Sequence, residues 1–314
     1  MPDLYATCSI YQHRNTPITC PSLLYSKHEP STVAILKNTD TTIHSVTLEG
    51  IGDVVYAVAG SGPPVVLLHG LGGSMVTWAP TISCLAKSHT VFIPDLPGHG
   101  QSVKPPSHYN LDFGIHFANA FLDSLQLSEV SLIGNSLGGL IALATALRNP
   151  KVVKSLVLVD PAGLGRQIAW SLRLASIPVV GPVLAQLDAR LGPGLLKRIF
   201  FEPSRVDADI AREIVRLVGD PQIRHTILRS LRSNVSVFGL HRALLQNKHA
   251  NSLLTPTLLI WGQEDRVIPV QHGIDFAHSH SNVQIHVIQD CGHLPQLEQV
   301  EEFNKVVAHF LTTL

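Results

Sequence analysis

The chain has 314 residues, enough for one large α/β domain or two modest ones. Lys+Arg and Asp+Glu both number 23, so the net charge is zero and neither nucleic acid nor an anionic membrane is indicated as a partner. The 17 histidines are scattered, and the four cysteines show no CxxC spacing, which argues against structural metal and for a reducing, cytoplasmic compartment.

Residues 1–43 read as an N-terminal arm. The first thirty hold Pro2, Pro17, Pro21 and Pro30 and no apolar run, so neither a signal peptide nor a transit peptide is expected there. Cys8 and Cys20 are candidates for pairing only if the protein is secreted. The β-rich runs 44–48 and 53–60, separated by Gly50 and Gly52, predict an antiparallel pair. "PPVVLLHG" (63–70) and "TVFIPDLPGHG" (90–100) are apolar runs ended by glycine, as in strands covered on both faces. Phe113, Phe117, Phe121 and Leu125 recur every fourth residue and predict a helix over 111–126. Strands follow at 130–134, 155–160, 256–262 and 283–288. Strands alternating with helices mean a mainly parallel sheet with helices on both faces, and ligands of such sheets sit at the carboxyl ends of the strands.

The alternation breaks between 163 and 250, where no strand pattern is visible and "DADIAREIVRLV" (207–218) carries Ile210, Ile214 and Val218 on one face. This segment is expected to be a helical cap over the strand ends, with the core formed by 44–162 and 251–314. Its most apolar stretch, 168–187, is broken by Arg173, Pro178, Gly181 and Pro182 into two short helices, so stable membrane insertion is not expected.

"SLIGNSLGGLIAL" (131–143) begins as a strand and ends as a helix, with Gly134 and Gly138 two residues either side of Ser136. A serine hydroxyl attacks a carbonyl only if a base takes its proton and donors receive the oxyanion. A sharp strand–turn–helix corner exposes the hydroxyl and aims free N–H groups of the helix at the developing charge, which is the logic of the G-x-S-x-G elbow. A base is available after the last strand as His293, and an acid as Asp265 after "LLIWG"; Asp160 is the second choice for the acid, and Glu264 and Asp290 are weaker ones. Ser136, Asp265, His293 is the order Ser, acid, His, each following a strand.

These segments resemble the α/β-hydrolase fold superfamily over residues 44–314. "LLHGLGGSMVTW" resembles its oxyanion loop and "PDLPGHGQS" its turn after the fourth strand, while "GNSLGG", "WGQEDRVIP" and "CGHLPQLE" resemble its nucleophile, acid and base segments. The resemblance implies an α/β fold with a mostly parallel sheet of eight-stranded type and an inserted cap. Ser136 is then nucleophile, His293 base, and Asp265 the group that orients the imidazole. The N–H groups of Leu71 and Leu137 form the oxyanion hole, with Gly72 as alternate for the second donor. His69, His99 and Asp95 are read as structural. Asn135, Trp78 and Leu294 are candidates for the substrate pocket; Trp170 and Phe238 are weighed too, with the core as their first reading.

A serine at the elbow sets aside the aspartate-dependent dehalogenases and epoxide hydrolases. The first expectation is a carboxylic-ester hydrolase for small, mainly apolar esters. "GNS", "CGH" and "FFEPSRVDADIA" also resemble the carbon–carbon bond hydrolases of aromatic ring-cleavage products, although those carry tryptophan where Leu294 stands. They also use a cap arginine, for which Arg212 and Arg216 are the nearest candidates. Cofactor-free haloperoxidases or perhydrolases, and a small-molecule receptor on the same fold, are further alternatives. No cofactor and no metal is called for. The expected partner is a small-molecule substrate, and a homo-oligomer remains possible.

Overall fold

The computed structural model describes residues 35–36, 39–190, 192–246 and 253–313. Cys8, Cys20 and most of the N-terminal arm lie outside these residues. Among the described residues Cys84 and Cys291 are free thiols.

In chain order the strands are β1 (Thr42–Leu48), β2 (Gly52–Ala59), β3 (Pro64–Leu68), β4 (Thr90–Pro94), β5 (Val130–Asn135), β6 (Val153–Val159), β7 (Val235–Ser236), β8 (Gly239–Leu240), β9 (Thr257–Gly262) and β10 (Val283–Ile288). Eight of them form one sheet in the order β1-β2-β4-β3-β5-β6-β9-β10. The pairings β1/β2 and β2/β4 are antiparallel, and every other pairing in the sheet is parallel. Alternation along the central strands splits the core into two layers. Leu132, Leu156 and Leu158 join the cluster on one face, while Ile133, Val157 and Val159 join the cluster on the other. Strands covered on both faces need apolar residues at both parities, which is why their sequences read as unbroken apolar runs.

The sheet order places β3 and β5 side by side although β4 and two helices intervene in the chain. That is where the winding direction reverses, so the loops leaving β3 and β5 diverge and open a crevice between them.

The helices that frame this crevice are α1 (Ala79–Leu85), α2 (Leu111–Ser124) and α3 (Leu137–Arg148). Asn110 caps α2 by accepting the N–H of Phe113 at 3.0 Å, and Phe117 and Phe121 are buried as their spacing predicts. Gly114 lets α3 approach α2, since a Cβ there would lie 2.8 Å from Ile141.

Between β6 and β9 the chain forms α4 (Trp170–Ala175), α5 (Val180–Arg190), α6 (Gly192–Ile199), α7 (Ala208–Gly219) and α8 (Pro221–Asn234). The two short helices expected over 168–187 are present as α4 and α5. Asp207 caps α7 through the N–H groups of Asp209 and Ile210, and Asp220 caps α8 ahead of Pro221. Ile210, Ile214 and Leu217 form the buried stripe of α7. The absence of strands expected from 163 to 250 needs correction. Val235–Ser236 and Gly239–Leu240 pair as a small antiparallel hairpin, too short to leave an alternating pattern.

This helical segment does lie against the loops at the strand ends. A Cβ added at Gly72 would first meet Ile227 and Val218, one added at Gly98 would first meet Thr226, and the N–H of His293 bonds the carbonyl of Ile199 at 2.7 Å.

The corner after β5 tolerates no added atom on its glycines. A Cβ on Gly134 would lie 2.3 Å from the Gly138 carbonyl oxygen, and one on Gly138 would lie 2.2 Å from that of Leu68. Both obstacles are backbone and cannot turn aside. Gly138→Ala is therefore expected to lower stability by about 3 kcal/mol or more, read as a fall in the urea midpoint. Gly219→Ala, where nothing lies within 4 Å, should be neutral or stabilising by about 0.5–1 kcal/mol. Equal midpoints for the two variants would contradict the packing described.

Candidate active site

Ser136 sits at the tip of the corner, between β5 and the first residue of α3, with φ +55° and ψ −112°. A non-glycine residue reaches this region only at a cost, so the surroundings must hold it there. They do so through its backbone. The Ser136 N–H bonds the carbonyl of Val159 at 2.9 Å, and its carbonyl receives the N–H groups of Leu140 at 3.1 Å and Ala162 at 3.0 Å. The side chain is left half-exposed at the mouth of the crevice.

His293 and Asp265 come from the loops after β10 and β9. Their side chains meet directly: the Nδ1 of His293 lies 2.7 Å from Oδ2 of Asp265, with side-chain exposures of 7% and 0%. The other carboxylate oxygen of Asp265 accepts the N–H groups of Val267 at 2.7 Å and Ile268 at 3.0 Å. Asp265 is thus fixed by its own turn and aims its free oxygen at the imidazole.

The His293 loop is held on four sides. Glu264 accepts the N–H of Cys291 at 2.9 Å, and Glu298 accepts that of Gly292 at 2.7 Å. The N–H of His293 goes to Ile199, and its carbonyl receives Asn135 Nδ2 at 3.2 Å. Glu298 also receives the N–H groups of Phe201 and Glu202, so one buried carboxylate ties the histidine loop to the helical segment. Sequence reasoning did not assign Glu298 any role; its only signal was its place in "CGHLPQLE". Glu264 proves to be a loop brace rather than an alternative acid. Asp290 uses its carbonyl to receive Arg205 at 2.7 Å.

Three pocket candidates are corrected by their surroundings. Asn135 is 1% exposed, and its amide bonds the carbonyls of Val159 and His293, so it joins two loops instead of facing a ligand. Trp78 is fully buried against Phe303, under the sheet. Leu294 packs into the core layer with Leu297 and Phe303. Trp170 and Phe238 are 70% and 72% exposed and line neither pocket nor core.

A narrow, mainly apolar pocket runs alongside the corner. Leu137, the residue after the serine, forms part of its wall with Leu96, Phe113, Phe117 and Ile141, and Ser230 of α8 closes it.

The loop after β3 passes on the opposite side of the serine. Gly70 faces the Cβ of Ser136, and Gly72 takes φ +77°. The Gly70 carbonyl receives the N–H of Gly73 at 3.1 Å and lies 2.8 Å from Nδ1 of His69. Nε2 of His69 accepts the N–H of Leu96 at 2.9 Å, so Nδ1 carries the proton. Burial, reinforced by the neighbouring His99, holds the His69 pKa down to about 3. Burial likewise holds His99 down to about 4. Asp95 receives the N–H groups of Met75 and Gln101, both at 2.7 Å, while burial pushes its pKa up to about 6. His69 and Asp95 brace the loop, as read from the sequence, whereas His99 packs its ring against His69 and also lines the pocket.

The sequence profile of the alpha/beta hydrolase family matches residues 65–306 of the chain. The chain belongs to that family. Among family relatives, 2-hydroxymuconate semialdehyde hydrolase of Pseudomonas sp. (strain CF600) is 32% identical over 274 residues, covering 81% of this chain and 88% of that protein. The solved meta-cleavage product hydrolase CumD of Pseudomonas fluorescens IP01 superposes with a TM-score of 0.73 at 26% identity, covering 86% of this chain and 97% of that one. A membrane phospholipase A, described as a bacterial virulence factor, superposes at 0.76 with 25% identity, covering 90% of this chain and 89% of that one. Among the described residues no helix is long and apolar enough to cross a membrane.

Oxygen atoms of Asp160 and Asp265 and a ring nitrogen of His293 lie within 4.8 Å of one another, a spacing that a metal ion also uses. The 2.7 Å contact between His293 and Asp265 is a direct hydrogen bond; a tetrahedral ion between them would hold the two atoms about 3.4 Å apart.

The buried histidines set an acid limit on the fold. Unfolded, His69 and His99 take up protons below about pH 6.5, whereas folded they stay neutral until about 3 and 4. The two histidines therefore withdraw stability as the pH drops below 6.5, offset in part by Asp95, whose raised pKa favours the folded state on protonation. Nitrogen-15 NMR of the histidines should find two rings neutral at pH 5, that of His69 with Nδ1 protonated. Titration of every histidine near pH 6.5 would contradict this.

Proposed function

We propose that the protein is a serine hydrolase in which Ser136, His293 and Asp265 act as nucleophile, base and orienting acid, and that its substrates are carboxylic esters with small, mainly apolar acyl groups. The observation that carries the reading is the buried 2.7 Å bond between His293 Nδ1 and Asp265 at the same strand ends as the Ser136 corner. With Nδ1 donating to Asp265, Nε2 is the lone-pair nitrogen available to a serine hydroxyl. Ser136 Oγ would attack the ester carbonyl as Nε2 takes its proton, giving a tetrahedral oxyanion. Leu137 N–H at the start of α3 and Leu71 N–H after β3, with Gly72 N–H as alternate, would receive that charge. The imidazolium would then protonate the departing alkoxide, and water, deprotonated by the same nitrogen, would release the acid from the acyl-enzyme.

The ester reading rests on the apolar pocket walled by Leu96, Phe113, Leu137 and Ile141. Carbon–carbon bond cleavage of a ring-fission ketone is the second reading, favoured by the relative named above as a semialdehyde hydrolase. Against it, Arg216 already makes a two-pronged contact with Glu213 at 2.7 and 2.8 Å, and Arg212 is paired with Asp209 on the surface. Both guanidiniums are thus engaged by carboxylates of their own helix.

Treatment with a fluorophosphonate should label Ser136 in the folded protein, and mass spectrometry of the digest locates the adduct. Asp265→Asn should lower kcat by roughly 10³- to 10⁴-fold, because the imidazole loses its orienting charge and tautomer. p-Nitrophenyl acetate through octanoate should turn over in preference to a dienoic ring-fission ketone. Turnover of the ketone alone would overturn the ester reading and leave the serine chemistry standing.

A further inference from the structure

The carboxyl of Asp160 takes no part in the mechanism above, yet it lies against the groups that do. It directly follows β6, is fully buried, and holds φ +44°, a left-handed conformation with a cost of its own. Its backbone is clamped: its N–H bonds the carbonyl of Ile260 at 3.0 Å, and the adjoining Val159 carbonyl receives both the Ser136 N–H and Asn135 Nδ2. Oδ1 accepts the N–H of Gly262 at 3.0 Å. Oδ2 is buried with no donor facing it, and one oxygen of this carboxyl lies within 4.8 Å of both an Asp265 oxygen and a His293 ring nitrogen.

Two ionised carboxylates cannot share so small a buried space without a large penalty. Asp265 has two backbone N–H groups and an imidazole to support its charge, whereas Asp160 has one N–H. The proton therefore belongs on Asp160, and burial together with the charge of Asp265 raises its pKa well above the ordinary carboxylate value. A protonated carboxyl is a donor, and the acceptor in front of it is Asp265.

We propose that Asp160 stands as a carboxylic acid that donates a hydrogen bond to Asp265 and so acts as a positioning residue for the Asp265–His293 couple. The proposal rests on the serine-hydrolase reading above. The two carboxyls then share one proton and one negative charge, and His293 faces a single charge held in place from two sides. The other titratable groups around the pair leave this balance intact. Glu298 is engaged by the N–H groups of Gly292, Phe201 and Glu202, and Glu264 by that of Cys291. The Cys291 thiol is pushed up by burial, and burial holds His272 below its usual value.

The test is the pH dependence of fluorophosphonate labelling at Ser136 in wild type, Asp160→Asn and Asp160→Leu, with infrared spectra of the first two. Asp160→Asn keeps a donor towards Asp265 and the same net charge. It should slow labelling by no more than about five-fold and leave the acid-limb pKa of the rate within about 0.3 of wild type. Asp160→Leu removes the donor and should slow labelling roughly ten- to hundred-fold. The wild type at pH 8 should show the C=O stretch of a protonated carboxylic acid that Asp160→Asn lacks. The proposal is overturned if Asp160→Asn lowers the acid-limb pKa by about 1 or more, because Asp160 would then be ionised in the wild type. It is equally overturned if Asp160→Leu labels at the wild-type rate, or if the infrared band is missing. Failure of the wild type itself to label would strike at the serine chemistry, whereas the infrared band judges the shared proton separately.

Discussion

Everything near the candidate site depends on how closely three pieces of backbone meet beneath Ser136. The Leu68 carbonyl at the end of β3 approaches the α-carbon of Gly138, and the Gly138 carbonyl approaches that of Gly134, at separations that leave no room for a methyl group. That contact bends the chain from β5 into α3 within one residue and forces the serine to φ +55°. The same contact brings the loop after β3 beside the helix start, at the crevice where the sheet order reverses.

A second feature is the concentration of carboxyl groups around one histidine. Asp160, Asp265, Glu264 and Glu298 all lie near the His293 loop, and each of the four accepts at least one backbone N–H from the segments that surround it. A carboxylate that receives such donors loses less on leaving water, and in return it fixes the loop that supplies them. The histidine loop is therefore rigid through its backbone, while the side chain of His293 is directed by Asp265 alone.

Much of this was legible beforehand, for identifiable reasons. Strands buried on both faces are unbroken apolar runs, so β3, β5, β6 and β9 stood out, and the four-residue spacing of Phe113, Phe117 and Phe121 marked α2. Ser136, Asp265 and His293 were visible because each follows a strand in a single sheet. Roles set by long-range contact were not. Asn135 adjoins the serine in sequence, yet its amide reaches across 158 positions to the His293 carbonyl. Leu294 and Trp78 adjoin the same motifs and are core residues, since neighbourhood in the chain does not decide which way a side chain points. The exposure of Trp170 and Phe238 depends on how five helices and a hairpin pack, which periodicity does not encode.

The account stands on Ser136 and the two facing sets of N–H groups acting as one reactive centre. Its most direct test is a crystal structure of the protein after reaction with a phosphonate ester. The account predicts phosphorus bonded to Ser136 Oγ, one phosphonyl oxygen within hydrogen-bond reach of the N–H groups of Leu137 and of Leu71 or Gly72, and His293 still bonded to Asp265. A phosphonyl oxygen directed away from both loops, or an adduct on another residue, would contradict it.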